Sequence, residues 1–189
     1  MAPNLPGQEG RYARSGSRTE RQRPVPARRR SPRLRHNGRV RFLIRPARPD
    51  EATELTELAL RSKGHWGYDT EFLARCRTEL TLTPADVTAR HVAVAERDGR
   101  VVGLVVLAST PPELELDMLF VDPPAIGTGA GRVLFDHAVA ASRAAGARTL
   151  WIEADPGAEA FYRHVGAVLT GTCVSPSTGR TLPRLRYDL

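Results

Sequence analysis

The sequence is nearly without lysine. Of its 28 basic residues only Lys63 is one, and arginine supplies the rest, a compositional trait of the coding sequence with no functional meaning of its own. Cysteine is equally scarce. Cys76 and Cys173 are far apart and in no metal-ligand spacing, so no metal site is legible, and the two read as reduced core thiols of a cytosolic protein. No run of about 18 apolar residues occurs, which excludes a membrane-spanning helix. The opening Met1-Ala-Pro-Asn-Leu-Pro6 lacks the charged and then apolar regions of a secretory signal. What remains is a chain of 189 residues, enough for one sizeable domain with its own core.

Apolar residues are also sparse in residues 1–40, which are rich in Arg, Pro, Ser and Gly. Such a segment cannot bury enough surface to offset its ordering entropy and is expected to be disordered. It dominates the charge. Residues 1–41 hold twelve arginines against Glu9 and Glu20, a net +10, so the whole-chain charge of +7 leaves −3 for the remainder. Arg28-Arg-Arg-Ser-Pro-Arg-Leu-Arg35 suits phosphate contacts, but no aromatics are interleaved for base stacking, and Tyr12 stands alone. A solvated tail, or a start codon assigned too far upstream, is the simpler reading than nucleic-acid binding. Pro3, Pro6, Pro24, Pro26 and Pro32 spoil the amphipathic helix of a mitochondrial presequence.

The domain is expected over residues 41–189, with its first strand starting at the boundary. Val40 to Arg45 is a short apolar run ended by Pro46. Asp50 is placed to cap the next helix, whose stripe is Ala52, Leu55, Leu58 and Ala59. Lys63-Gly-His-Trp-Gly-Tyr68 breaks that helix. Phe72, Leu73, Cys76 and Leu80 form a second stripe that ends before Pro84. The β-branched runs His91–Glu96 and Arg100–Leu107 flank Arg97-Asp-Gly99, a strong hairpin signal. Glu113–Val121 is the next strand. Strict alternation would put Glu113, Glu115 and Asp117 on one face and Leu114, Leu116 and Met118 on the other. After a glycine-rich loop, Leu134, Ala138, Ala141 and Ala145 mark a helix stopped by Gly146. A strand over 148–154, a helix over 158–165 and an antiparallel pair, 167–174 with 182–189, complete the chain. The order β-α-α-β-β-β-α-β-α-β-β describes an α/β (α+β) mixed sheet. It is mostly antiparallel, with one βαβ crossover around the glycine loop.

That loop, Ile126-Gly-Thr-Gly-Ala-Gly131, follows a strand and opens a helix. Glycines there let a ligand approach the backbone, and free N–H groups with the helix dipole favour an anion. The glycines by themselves fit a pyrophosphate cradle and a plain connecting turn equally. No Lys-Ser/Thr follows, so it is not a Walker A loop. The G-x-G-x-G spacing and the intervening Asp122-Pro-Pro-Ala-Ile126 do not fit a dinucleotide fingerprint.

Two segments and the element order together resemble the GNAT family of acetyl-CoA-dependent N-acetyltransferases. Val121 to Arg132 is similar to that family's Q/R-x-x-G-x-G/A loop. Asp155-Pro-Gly-Ala-Glu-Ala-Phe-Tyr-Arg-His-Val-Gly-Ala167 is similar to its N-x-x-A-x-x-F-Y-x-x-x-G-F segment. Residues 41–189 carry the resemblance, and the tail has no counterpart. Ile126 stands where Gln or Arg is usual, Asp155 replaces Asn and Ala167 replaces Phe. Residues 62–68 also resemble the turn between the first helices of bacterial members with unassigned substrates.

The resemblance implies direct acetyl transfer from acetyl-CoA, as co-substrate and without a metal, to an amine acceptor in a ternary complex. Leu119, Phe120 and Val121 would hold the pantetheine arm through their backbone. Gly127, Thr128, Gly129, Ala130, Gly131 and Arg132 would hold the pyrophosphate. An amine with a pKa of about 10 must lose a proton before it attacks. Glu115 is the first candidate base and Asp117 the second, with Glu153 behind them. Tyr162 matches the tyrosine that protonates the leaving thiolate in many members. His65, Trp66 and Tyr68 border the acceptor site in this fold, whereas His137 and His164 read as helix-surface residues. Transfer of another acyl group and a weakly catalytic acyl-CoA-sensing module stay open. No membrane partner is implied. A homodimer is compatible with the sequence, which assigns neither oligomeric state nor acceptor.

Overall fold

A computed structural model describes residues 41–189, so the expected disorder of the basic tail, together with Val40 of the first predicted strand, lies outside the described residues. Strand β1 (Leu43–Pro46) leads through a single 3-10 turn, Pro49–Glu51, into α1 (Ala52–Gly64). Asp50 does not cap this helix as expected; it is exposed beside Arg48 at 3.3 Å. Glu51 anchors the turn. Its buried carboxylate accepts from the Arg48 N–H at 2.8 Å and from the Arg45 guanidinium at 2.7 and 2.9 Å. The reason is reach, because Glu51 sits three residues after the Arg48 N–H that needs an acceptor.

Helix α2 (Thr70–Leu80) is capped by Asp69, which accepts from the Phe72 N–H at 2.7 Å. A short helix, α3 (Pro84–Ala89), was not expected from the apolar pattern. It has one buried residue, Val87, too few to make a stripe. Its signal is the box Thr83-Pro-Ala-Asp86, in which Thr83 and Asp86 satisfy each other's backbone N–H. Strands β2 (His91–Arg97) and β3 (Arg100–Ala108) form the expected hairpin. Asp98 and Gly99 both take positive φ, 52° and 77°, as a type I′ turn requires.

Next come β4 (Glu113–Val121), α4 (Ala130–Ala144), β5 (Thr149–Glu153), α5 (Glu159–His164), β6 (Val168–Val174) and β7 (Thr181–Asp188). They build one seven-stranded sheet in the order β1-β2-β3-β4-β5-β7-β6. Every pairing is antiparallel except β4 with β5, so the mixed sheet and its single crossover are as expected. Two apolar cores lie on its faces. One gathers Leu134, Phe135 and Ala138 of α4 with Leu114, Leu116, Leu150 and Ile152. The other gathers Leu55 and Leu58 of α1 and Phe72 of α2 with Val94, Leu104, Val106 and Met118. Among the described residues no helix is long and apolar enough to cross a membrane.

The alternation along β4 needs correction. Its pairing with β3 shifts register at Asp117, which has no partner while Leu116 faces Leu107 and Met118 faces Val106. This bulge inverts the strand. Leu114 and Leu116 enter the core under α4, whereas Met118 enters the core under α1. Met118 therefore does not share a face with Leu114 and Leu116.

Candidate active site

Strands β4 and β5 are paired over only four residues, from Glu113 with Thr149 to Leu116 with Ile152. Beyond Leu116, β4 is bonded to β3 alone, while β5 turns away with β7. The parting opens a cleft of about 880 Å³ through the sheet. Leu119, Phe120 and Val121 line it, on the β4 edge that lacks a strand partner. One donor on that edge is already engaged: the Val121 N–H donates to the Ser62 hydroxyl at 3.3 Å.

The glycine loop forms one end of the cleft. Gly127 and Gly129 hold φ of 77° and 96°, and a Cβ on either would meet nothing within 4 Å, so the loop is left-handed and open. Gly127, Gly129, Gly131 and Arg132 line the cleft, whereas Ala130 is buried and the Thr128 hydroxyl donates to the Ala125 carbonyl at 2.6 Å. No side chain caps α4. The first intrahelical bond runs from Val133 N–H to the Gly129 carbonyl, which leaves the Ala130, Gly131 and Arg132 N–H groups at the helix start without an acceptor among the described residues. The Arg132 guanidinium lies along the helix and donates to Asp136 at 2.8 and 3.0 Å.

Carboxylates gather at the other end. Glu115, Asp117 and Glu153 all line the cleft. Asp117 is paired with Arg90. Glu115 and Glu153 have no ion-pair partner among the described residues. Burial raises the Glu115 carboxyl above its usual range, and the charges of Glu153 and Asp117 raise it further against the opposing pull of Arg184 and Arg90. Tyr162 is buried beside Phe135 and Phe161, and its hydroxyl has no partner among the described residues. Burial pushes its phenol above the ordinary value, so it stays protonated at neutral pH.

Of the three residues expected at the acceptor side, Trp66 lines the cleft and packs so closely over Gly157 that a Cβ there would lie 2.6 Å from its ring. His65 is exposed and edge-on to Trp66, with 5.7 Å between centroids. Tyr68 faces Asp155, donating to its carboxylate at 2.8 and 3.1 Å. His137 stacks on His91 at 5.3 Å and does not line the cleft, whereas exposed His164 does. Sequence reasoning missed Lys63, Glu79 and Arg180, which also line the cleft. Lys63 and Arg180 come from loops and helix ends where no periodicity marks a direction. Asp155, which stands where the family's usual residue is Asn, also accepts from the Gly157 N–H at 3.0 Å.

A family model described as the acetyltransferase (GNAT) family matches residues 52–167. The chain is 34% identical over 148 residues to the peptidyl-lysine N-acetyltransferase YjaB of Escherichia coli (strain K12), covering 75% of this chain and 92% of that protein. Among solved structures it resembles a GCN5-related N-acetyltransferase from Rhodopseudomonas palustris, with a TM-score of 0.69, 21% identity and coverage of 82% and 99%. It also resembles the PaiA N-acetyltransferase of Thermoplasma acidophilum in complex with coenzyme A, with a TM-score of 0.67, 16% identity and coverage of 79% and 99%. These two likenesses are of fold. The matched stretch takes in the parted strands, the glycine loop and Tyr162 together, and on that basis the chain belongs to the GNAT family of N-acetyltransferases.

Proposed function

We propose that the protein transfers the acetyl group of acetyl-CoA directly to a cationic primary amine, with both substrates bound in the cleft. The reading rests chiefly on one juxtaposition. Two carboxylates without cation partners among the described residues, Glu115 and Glu153, share a cleft with a cradle of backbone N–H groups unpaired among those residues and with Tyr162. The loop fits a pyrophosphate, since its glycines are open and its donors converge at a helix start. The free edge of β4 fits an extended amide-bearing arm added like a strand.

In this scheme Glu153 and Glu115 attract the ammonium group and Glu115 takes its proton. The raised carboxyl of Glu115 makes it a better base than an ordinary glutamate. The freed nitrogen attacks the thioester carbonyl and gives its second proton to solvent, the carbon–sulfur bond breaks, and Tyr162 gives the departing sulfur its proton. Tyr162 then recovers a proton from solvent. A lysine side chain, the acceptor class in the name of YjaB, fits the same carboxylates.

The test is release of coenzyme A thiol across a panel of polyamines, lysine-containing peptides and peptides with free amino termini. Turnover with at least one cationic amine is expected. Tyr162→Phe should lower kcat by about 10²-fold with acetyl-CoA affinity retained. Stabilisation by acetyl-CoA without turnover on any amine would make the protein a sensor, and no stabilisation would remove the cofactor reading altogether.

A further inference from the structure

The chain's only lysine lies in the cleft of an N-acetyltransferase. Lysines are rarely removed from solvent without a partner. The Lys63 side chain is 14% exposed, with its Nζ 3.6 Å from Asp155 Oδ2. The same nitrogen lies 5.9 and 6.0 Å from the centroids of the Tyr68 and Phe72 rings. Its neighbour Ser62 accepts the Val121 N–H of β4, and Asp155 follows the end of β5. The last turn of α1 therefore spans the mouth of the parting, with Ser62 on one arm and Lys63 against the other.

We infer that Lys63 is itself an acetyl acceptor, modified within its own molecule when no external amine is bound. This rests on the function proposed above. Asp155 takes a proton from the Lys63 ammonium group, and Nζ bonds to the thioester carbonyl carbon. The attached nitrogen gives its second proton to solvent, the carbon–sulfur bond breaks and the sulfur leaves with the Tyr162 proton, which solvent replaces. One acetyl-CoA gives one N-acetyl-lysine, one coenzyme A and one released proton, with no other reactant. The product has lost the charge that faced Asp155, which keeps the Tyr68 hydroxyl and the Gly157 N–H as donors. Because Gly157 lies under Trp66, modification alters the wall on which the acceptor would rest. Burying the lysine beside a carboxylate also serves to tie α1 to the segment after β5. That role alone leaves Nζ unmodified.

The full chain, incubated with acetyl-CoA and no amine, separates the two. Intact mass should rise by one acetyl group per chain, at a rate independent of protein concentration. Trypsin should then fail to cut after Lys63 and yield the peptide Ser62–Arg75. The rate should exceed that in denaturant by about tenfold or more, because the reacting groups are held together. Lys63→Arg should gain no acetyl group. No mass gain, a gain confined to the amino terminus, a rate proportional to protein concentration or an equal rate in denaturant would each overturn the inference. If a panel amine is turned over while Lys63 stays bare, the inference falls and the proposed function stands. If acetyl-CoA neither stabilises the chain nor is consumed, the proposed function falls with it.

Discussion

Glu115 joins two conflicting demands at one carboxyl. Burial and the nearby charges of Glu153 and Asp117 raise it, so at neutral pH its charged form costs stability, a cost relieved as pH falls through the raised value. A general base must be ionised, so kcat should rise with pH along a limb above the ordinary carboxylate range. Glu153→Gln removes one of the raising charges, and the limb should move to lower pH; an unmoved limb would separate Glu153 from the base. Gly157 sets a second residue-scale requirement through contact rather than through φ. Gly157→Ala puts a methyl group into the Trp66 ring. We expect altered tryptophan fluorescence and a raised KM for the amine, with the glycine loop and acetyl-CoA affinity unaffected. The glutamates were legible only through the family resemblance, Glu115 on the acidic face of β4 and Glu153 on the next strand. Gly157 was not, because its constraint is a ring some ninety positions earlier in the chain.

At the scale of the element, α1 and β4 do most to shape the site. The start of α1 is fixed by Glu51, whose carboxyl is lowered first by its hydrogen bond from Arg45 and also by the Arg48 N–H. A depressed carboxyl contributes stability above its unfolded value, about 4.3, and loses it as pH falls through the lower folded value. Glu51→Ala should cost about 3 kcal/mol in urea unfolding at neutral pH, because it strips a buried ion pair of one member. The difference from the unaltered chain should shrink below pH 4. Strand β4 carries the other decisive feature. Its bulge at Asp117 turns Met118 to the opposite core and coincides with the end of pairing to β5. Period-2 patterning cannot register one extra residue, since Met118–Val121 after it is apolar on both faces and carries no alternation to show the inversion.

Across the whole molecule, two cores on one sheet leave the cleft where β4 and β5 separate. The charge is divided as sharply, with +10 in residues 1–41 and −3 beyond. A chain of residues 41–189 should melt within about 2 °C of the full chain, since Phe42 and Ile44, both retained, pack against the core. It should keep its stabilisation by acetyl-CoA. Any binding of duplex DNA by the full chain should weaken with salt and disappear with the tail; binding retained by 41–189 would move it to the domain.

By itself, the amino-acid sequence determined the element order apart from α3, the hairpin at Asp98-Gly99, the glycine loop before α4 and the family. These depend on local φ preference, periodicity and short spacings, all carried by neighbouring residues. Only the tertiary structure decided that β4 inverts at Asp117 and that Glu115 and Glu153 share a cleft without cation partners among the described residues. It also decided that Tyr68 turns to Asp155 and that the single lysine closes on the same carboxylate. Those facts join strands and helices far apart in the chain, and it is packing of the two cores against one twisted sheet that brings them within a few ångströms.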